Sequence, residues 1–579
     1  MPTQQTLGWR EGVACALLPV VIELASALLR DGFPRPSGSI DADTAIRLVR
    51  LRDIVAAHSP LHAIARDGSG HGTILHWSHF LDSLLLMIAA PFGWLMPTDA
   101  ALFTAGLVLG MISLAGLGFS CAWAVAPCVG VAWRWIAPTA AVLTPAIWAY
   151  GQIGIVHHHL LAVLVAVVCW GWSARLILQP AGPGAIALGA WAATGLWMTP
   201  ETVPLSVLGL GAVFLAWVGD PRIGSAIRTI GLTMFGVVLA AFLVDPPATG
   251  YAAQEFDRIS LVFVGVAAVF AALGCAIPAI GRRAAGWQQR FAAAALVGAV
   301  LGGAWLLCFP AFLRGSDTIM SEAEWHAFFG FINEMQPVAT GARAVSYLLT
   351  PALAALFLVW LAVRHRSVLC LYAAAGSVVS IALAQRHVRF APYPEAVAVL
   401  LLPVALTMVE RHIRRDGAQM AARLSIVVAV LIVPIFGALV LRAERAGPAT
   451  ASCRIVDRLD AFGDAVTVAD VNASPELLYR TQLRTVGSLY HRNPTGFLRL
   501  RAAWRSRPDP AHPAAVPPEI DAAEATLVIF CPNPGRSPLV ADLPADTLLD
   551  RLDRGEVPPW LREAARIPAS GNIVFRVVR

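Results

Sequence analysis

The sequence predicts an α-helical polytopic membrane protein of about thirteen transmembrane helices, followed by a small C-terminal α/β domain on the outer face. Three observations lead there. Hydrophobic residues make up 57% of the 579, with mean hydropathy +0.66, which excludes an ordinary soluble protein. Apolar runs near twenty residues long recur, each long enough to cross a bilayer, and the charged 14% fall mainly between them. After residue 446 the long runs stop and short segments rich in β-branched residues begin.

The net charge of +6 is ordinary for a membrane protein and gives no reason to expect nucleic acid as a partner. All 43 cationic side chains are arginine. The nine cysteines are scattered without a CxxC pair, so no zinc or redox motif is present.

The first apolar run, 12–29, is too long for a signal-peptide core and lacks a small-residue cleavage site. It reads as a retained span, unusual in carrying Glu23, whose expected partner is an arginine. A long outer loop, residues 30–100, follows. Within it Ile46, Leu48, Val49, Leu51, Ile54 and Val55 predict an amphipathic helix that starts near Asp43 and lies on the membrane surface. The stretch 76–94 is apolar but interrupted, and is read as a re-entrant part of that loop rather than a span. Further spans are expected at 101–125, 136–155, 158–178, 184–198, 202–218, 227–244, 259–280 and 291–309. The last four are 343–363, 368–384, 395–409 and 424–441.

With the N-terminus cytoplasmic, alternation puts the short basic loops on the cytoplasmic side, as the positive-inside rule expects. They hold Arg134, Arg175, Arg222 with Arg228, the pair Arg282 and Arg283 with Arg290, Arg364 with Arg366, and Arg411 with Arg414 and Arg415. Counting 80–95 as a full span would reverse this parity.

The same topology gathers the unusual polar residues at outer membrane boundaries: Asp41, Asp43, His157, His158, His159, Glu201, Glu334, Arg386 and Arg389. Histidine is costly at bilayer depth, so three in a row between apolar runs mark a helix end or a polar cavity. Carboxylates with imidazoles suit a divalent cation. Arginine suits a phosphate. Together they suggest metal-assisted transfer from a phosphate-bearing donor.

Four stretches resemble the catalytic subunits of oligosaccharyltransferases, in order and over roughly residues 12–441. Phe331-Ile332-Asn333-Glu334-Met335-Gln336-Pro337 looks like that family's outer-loop motif, within an outer catalytic loop at 310–342. Arg389-Phe390-Ala391-Pro392-Tyr393 looks like its Arg-Phe-x-x-Tyr stretch. Asp43 matches its first acidic motif, and His157–His159 stand where its second metal motif lies. The resemblance implies a GT-C-like membrane glycosyltransferase. Asp43 and Glu334 would be catalytic. The metal ligands would be Asp43, His157, His158, His159 and Glu334, around a divalent ion, manganese or magnesium. Arg389, with Arg386, would hold the donor phosphate, and Asp41, Glu201 and Tyr393 are further candidates. The implied partners are a polyprenyl-linked sugar donor and an acceptor glycan, lipid or protein, at a bacterial inner membrane. There are departures. Val156 or His157 stands where the second motif usually has aspartate, and three imidazoles favour softer ions than magnesium. The Trp-Trp-Asp acceptor triplet is absent after Arg442.

Residues 1–445 are thus read as the transmembrane catalytic domain and 446–579 as a periplasmic domain. There 464–471, 525–531 and 572–578 are expected as strands, 474–486 as a helix, and 505–518 as a Pro-rich loop. Tyr490-His491-Arg492-Asn493 reads more readily as a solvated loop than as an acceptor contact. Cys453 and Cys531 are the two cysteines placed where a disulfide could form. A transferase using a monophosphate donor is a rival of the same fold. A secondary transporter is the rival of another class; Glu23 favours it, whereas the span-end position of the other polar residues and the absence of an internal repeat do not.

Overall fold

The computed structural model describes residues 6–30, 32–36, 38, 40–180, 183–318, 321, 325, 328–329, 332–338, 341–445, 459–532, 545–567 and 571–579. Helices in the first half are α1 (Trp9–Arg30), α2 (Ala42–Ala57), α3 (Phe80–Phe92), α4 (Thr98–Val125), α5 (Ile136–Leu143), α6 (Pro145–Gly151) and α7 (His159–Leu178). Then come α8 (Gly184–Met198), α9 (Val203–Gly219), α10 (Gly224–Val244), α11 (Leu261–Arg283) and α12 (Trp287–Cys308). The bundle ends with α13 (Ala342–His365), α14 (Val368–Arg386), α15 (Pro392–His412), α16 (Asp416–Val427) and α17 (Val433–Arg445), the last two joined through a π-turn at Val428–Ile432. The chain is a polytopic membrane protein: among the described residues eleven helices are long and apolar enough to cross a bilayer. Small residues let them approach closely. A Cβ at Gly118 of α4 would strike the Cys15 carbonyl and Pro19 of α1, and one at Gly231 of α10 would lie 2.7 Å from the Phe270 carbonyl of α11.

The other two expected spans depart from a single long helix. Gly184–Met198 is only 15 residues. The expected span at 136–155 breaks between α5 and α6 and ends at Gly151. Pro145 is the cause: it has no N–H to donate and turns Thr144 out of the helical region, to ψ 133°. The N–H groups freed at the break need partners inside the bundle. Glu395 of α15, fully buried, provides them, accepting from Ala146 at 3.0 Å and Ile147 at 3.0 Å. Glu23 of α1 accepts from the Trp148 indole at 3.0 Å and the Ile153 amide at 3.3 Å. It therefore bonds the segment leading to the three histidines.

The long loop holds helices α2 and α3. The stretch 76–94 contains a regular helix, α3, whose 13 residues are too few to span a bilayer; it packs against α4 through Leu85, Ala89 and Leu102. Helix α2 does not lie on a membrane surface. Ile46, Leu48, Val49 and Leu51 are buried together with Arg47 and Arg50, because both arginines pair with Asp82 of α3, Arg47 at 2.9 Å. Its other neighbour is the C-terminal region.

That region folds as a five-stranded sheet of order β4-β3-β5-β7-β6. Its strands are β3 (Val466–Val468), β4 (Arg484–Thr485), β5 (Leu527–Phe530), β6 (Leu561–Arg566) and β7 (Ile573–Val577); β1 (Ala63–Ile64) and β2 (Thr73–Ile74) form a small hairpin in the long loop. β3 runs parallel to β4 and β5, and β7 antiparallel to β5 and β6. The expected strands are present, and β6 is an addition. The helix expected at 474–486 stops at Arg480, where Thr481 turns extended and the chain enters β4. With α18 (Ser474–Arg480), α19 (Pro494–Arg505), α20 (Pro518–Ala522) and α21 (Leu548–Asp553), the sheet is covered on both faces. Phe497, Trp504 and Phe575 fill one side; Leu477, Ile529 and Val574 fill the other.

Hydrogen bonds between distant parts of the chain attach this region to the long loop. The Thr485 amide donates to the Arg66 carbonyl at 3.0 Å, and the Arg66 guanidinium donates to the carbonyls of Thr481 at 2.7 Å and Leu483 at 3.1 Å. Buried Asp67 accepts from the hydroxyls of Thr73, Thr485 and Ser488. Cys531 is disulfide-bonded, whereas seven other cysteines are free. Cys453, the remaining one, lies outside the described residues.

Candidate functional site

The three histidines lie where α6 ends and α7 begins. Gly154, at φ +96°, turns the chain tightly against Pro34. The Val156 amide then donates to the Thr44 hydroxyl at 2.9 Å, fixing the loop to the start of α2. Asp41 caps α2 by accepting from the amides of Asp43 and Thr44, both at 3.1 Å. The same carboxylate takes the His157 Nε2–H at 2.6 Å. Burial alone would raise the Asp41 carboxyl, but the His157 charge and the hydrogen bonds from His157 and Thr44 outweigh it and hold it down to about 2. Burial alone would lower His157, yet Asp41, then Asp43 and Glu334, push it up to about 9. His157, expected as a metal ligand, is hydrogen-bonded to Asp41 in this structure.

His158 and His159 face Glu201, which sits on the short turn between α8 and α9. His158 Nε2 lies 3.9 Å and His159 Nδ1 4.0 Å from Glu201 Oε2. All three atoms are buried and have no hydrogen-bond partner. Arg389, on the turn between α14 and α15, donates to the other oxygen of Glu201. Its second terminal nitrogen is 3.7 Å from Glu334 Oε1, while Glu334 Oε2 is 3.9 Å from His159 Nε2 and accepts from the Tyr150 hydroxyl at 3.4 Å. Backbone bonds register these two loops: Val388 N–H to the Gln336 carbonyl at 3.1 Å, and Val338 N–H to that of Gln385 at 3.0 Å.

These groups line a cavity of about 540 Å³. Asp43 is on its wall, 3.9 Å from His157 and accepting from the Tyr490 hydroxyl at 3.1 Å. The lining also includes His76, Asp257 and His491, with the aromatic rings of Trp77, Phe256 and Phe329. Tyr490 and His491 therefore face the cavity from the C-terminal region, contrary to the solvated loop expected of them. Burial pushes the His76 imidazole well below its usual range, so it is neutral at pH 7. Burial acts to raise the Asp257 carboxyl, but His491 and Arg492 hold it well below the usual carboxylate range.

Of the sequence candidates, His158, His159, Glu201, Glu334, Arg389 and Asp43 share the cavity. Glu201, only a further candidate in the sequence, lies within 4.0 Å of both His158 and His159 and pairs with Arg389. Asp41 acts through His157. Arg386 is exposed at the end of α14 and, unlike Arg389, does not line the cavity. Tyr393 is buried beside Phe390, with its hydroxyl unpartnered. Sequence inspection missed Tyr150, His76 and Asp257. A polar residue beside an aromatic in an apolar stretch was the available signal for Tyr150 and His76; nothing local marks Asp257.

Three unpaired buried ligand atoms about one coordination sphere apart fit a divalent cation, here with two imidazoles and one carboxylate as donors. The adjacent guanidinium fits an anion.

The chain folds as a polytopic helical bundle with a C-terminal α/β region, and residues of both line the polar cavity. Solved structures share this fold. Archaeal oligosaccharyltransferase AglB from Archaeoglobus fulgidus, in complex with an inhibitory peptide and a dolichol-phosphate, superposes with TM-score 0.69 at 11% identity, covering 90% of this chain and 70% of that one. The apo form of the Archaeoglobus fulgidus enzyme gives 0.68 at 13% identity, with the same coverage. A form of that enzyme in complex with Zn and sulfate gives 0.62 at 12% identity, over 88% of this chain and 67% of that one. No protein-family model and no curated protein matches the chain.

Proposed function

We propose that this protein is an integral-membrane glycosyltransferase that transfers a glycan from a polyprenyl-phosphate or diphosphate donor to an acceptor on the outer face of a bacterial inner membrane. The carrying observation is that the unpaired atoms of His158, His159 and Glu201 converge beside Arg389. In this reading residues 1–445 form the catalytic domain and 446–579 close it from the periplasmic side. The likeness to structures holding dolichol-phosphate, an acceptor peptide or zinc with sulfate supports the same roles here.

His158, His159 and Glu201 would hold the ion, and their donor set suits manganese or zinc better than magnesium. Bound there, the cation supplies Lewis-acid stabilisation of charge on the leaving phosphate. Arg389 holds the donor phosphate, its planar fork matching two oxygens at once. Glu334, steadied by Tyr150, and Asp43, oriented by Tyr490, position the acceptor and receive its proton as the sugar–phosphate bond breaks and the new glycosidic bond forms.

Mass spectrometry of membrane and secreted glycoconjugates from a deletion strain tests this. One glycan class should vanish and return with the wild-type gene, but not with Arg389→Ala. An unchanged profile in the deletion strain overturns the proposal. For sidedness, a reporter fused after Arg442 should behave as periplasmic and one within 281–290 as cytoplasmic; finding both on one side rejects the outer-face assignment.

A further inference from the structure

We propose that His76, Asp257 and His491 form a second divalent-cation site, of zinc class, in the wall of the same cavity. The three come from separate segments: His76 after β2, Asp257 before α11, and His491 after β4. They offer ligand atoms that all lie within 4.8 Å of one another. His491 Nε2 is 2.8 Å from Asp257 Oδ2, close to the edge of a coordination sphere whose metal–ligand distances are about 2.0–2.2 Å. The His76 and His491 rings are 4.5 Å apart, tilted rather than stacked.

An ordinary hydrogen-bond network accounts for part of this cluster. Arg492 donates its Nε–H to Asp257 Oδ2 at 2.9 Å and a terminal N–H to Oδ1, and reaches Glu255 at 2.8 Å. That network leaves His76 out: its Nδ1 is buried and has no hydrogen-bond partner. An unpaired buried nitrogen carries a desolvation cost, and a shared cation removes it. Arg492 and Glu255 then act as the outer shell that orients the carboxylate, as metal-bound carboxylates usually require. Two imidazoles and one carboxylate leave a fourth position open to the cavity. The ion would join the long loop, the loop before α11 and the C-terminal region, fixing Tyr490 and with it Asp43.

The test counts metal on the full-length protein in detergent, stripped with chelator and dialysed against Zn(II) alone. Wild type should hold two zinc ions per chain, and His76→Ala or His491→Ala one. The double variant His158→Ala/His159→Ala leaves this cluster untouched; it should retain one zinc and, loaded with Co(II), show the visible absorption of nitrogen-ligated cobalt. That measurement needs no change in the cluster itself, so misfolding of the cluster variants does not blunt it. No metal on the double variant, or wild-type stoichiometry in His491→Ala, overturns the second site. A single zinc in wild type that survives the double variant but is lost in His491→Ala upholds this site and removes the metal from the proposed transferase centre.

Discussion

Four glutamates in or beside the bundle divide into two kinds. Glu23 and Glu395 are fully buried, and N–H donors occupy their oxygens: the Trp148 indole and Ile153 amide for one, the Ala146 and Ile147 amides for the other. Glu201 and Glu334 keep 25% and 31% of their side chains exposed to the cavity, and the groups around them are imidazoles, the Arg389 guanidinium and, for Glu334, the Tyr150 hydroxyl. One oxygen of Glu201 is buried with no hydrogen bond at all. An acid inside a membrane protein therefore does not by itself mark a site. The difference lies in whether its lone pairs are already used. Saturated carboxylates hold a broken helix together, and unsaturated ones have capacity left for a ligand.

The largest effect that could break this division is on turnover. Glu201→Gln and Arg389→Ala should each lower transferase activity by about 10²–10³-fold, with thermal stability little changed. If Glu201→Gln instead unfolds the protein while activity per folded molecule persists, Glu201 belongs with the structural pair. Arg389→Lys keeps the charge but loses the fork, and donor binding should weaken while the fold is retained.

Glu395→Ala should show the opposite pattern. It leaves the Ala146 and Ile147 amides unsatisfied within the bundle, costing about 2–4 kcal/mol, read as a lower Tm in detergent. Activity per folded molecule should hold at permissive temperature unless the α6 break shifts the histidines. Glu23→Gln should cost only about 1 kcal/mol, because the amide oxygen still accepts. A Glu23→Gln variant that loses activity without losing stability would move Glu23 to the functional pair and revive the transporter alternative.

The smallest expected effect follows saturation around Asp245, which accepts from His79, Trp197 and Arg258. His62 beside it, half-buried, has its imidazole lowered to about 4, by burial first and then by the Arg258 and His79 charges. Folded His62 stays neutral while the unfolded chain takes up a proton below the ordinary value of about 6.5. Stability should therefore decline as pH falls from about 6.5 towards 4, and His62→Phe should flatten that slope in a Tm-versus-pH series. An unchanged slope would show that His62 carries none of it.

By itself the sequence determined the membrane class, the ends of most spans, the C-terminal strands, and a small set of polar residues at helix ends that includes His158, His159, Glu334 and Arg389. These follow from local composition and period, because apolar length and the cost of charge in lipid act on each segment separately. Tertiary structure alone decided that Glu201 meets His158 and His159, that His157 bonds Asp41, that α2 is enclosed, and that His76 and Asp257 meet His491. Each depends on what reaches a polar atom from far along the chain. Glu395 and Ala146 lie 249 positions apart, and Thr485 and Asp67 418. Whether a buried oxygen is already hydrogen-bonded is a property of that three-dimensional neighbourhood, and no periodicity along the chain encodes it.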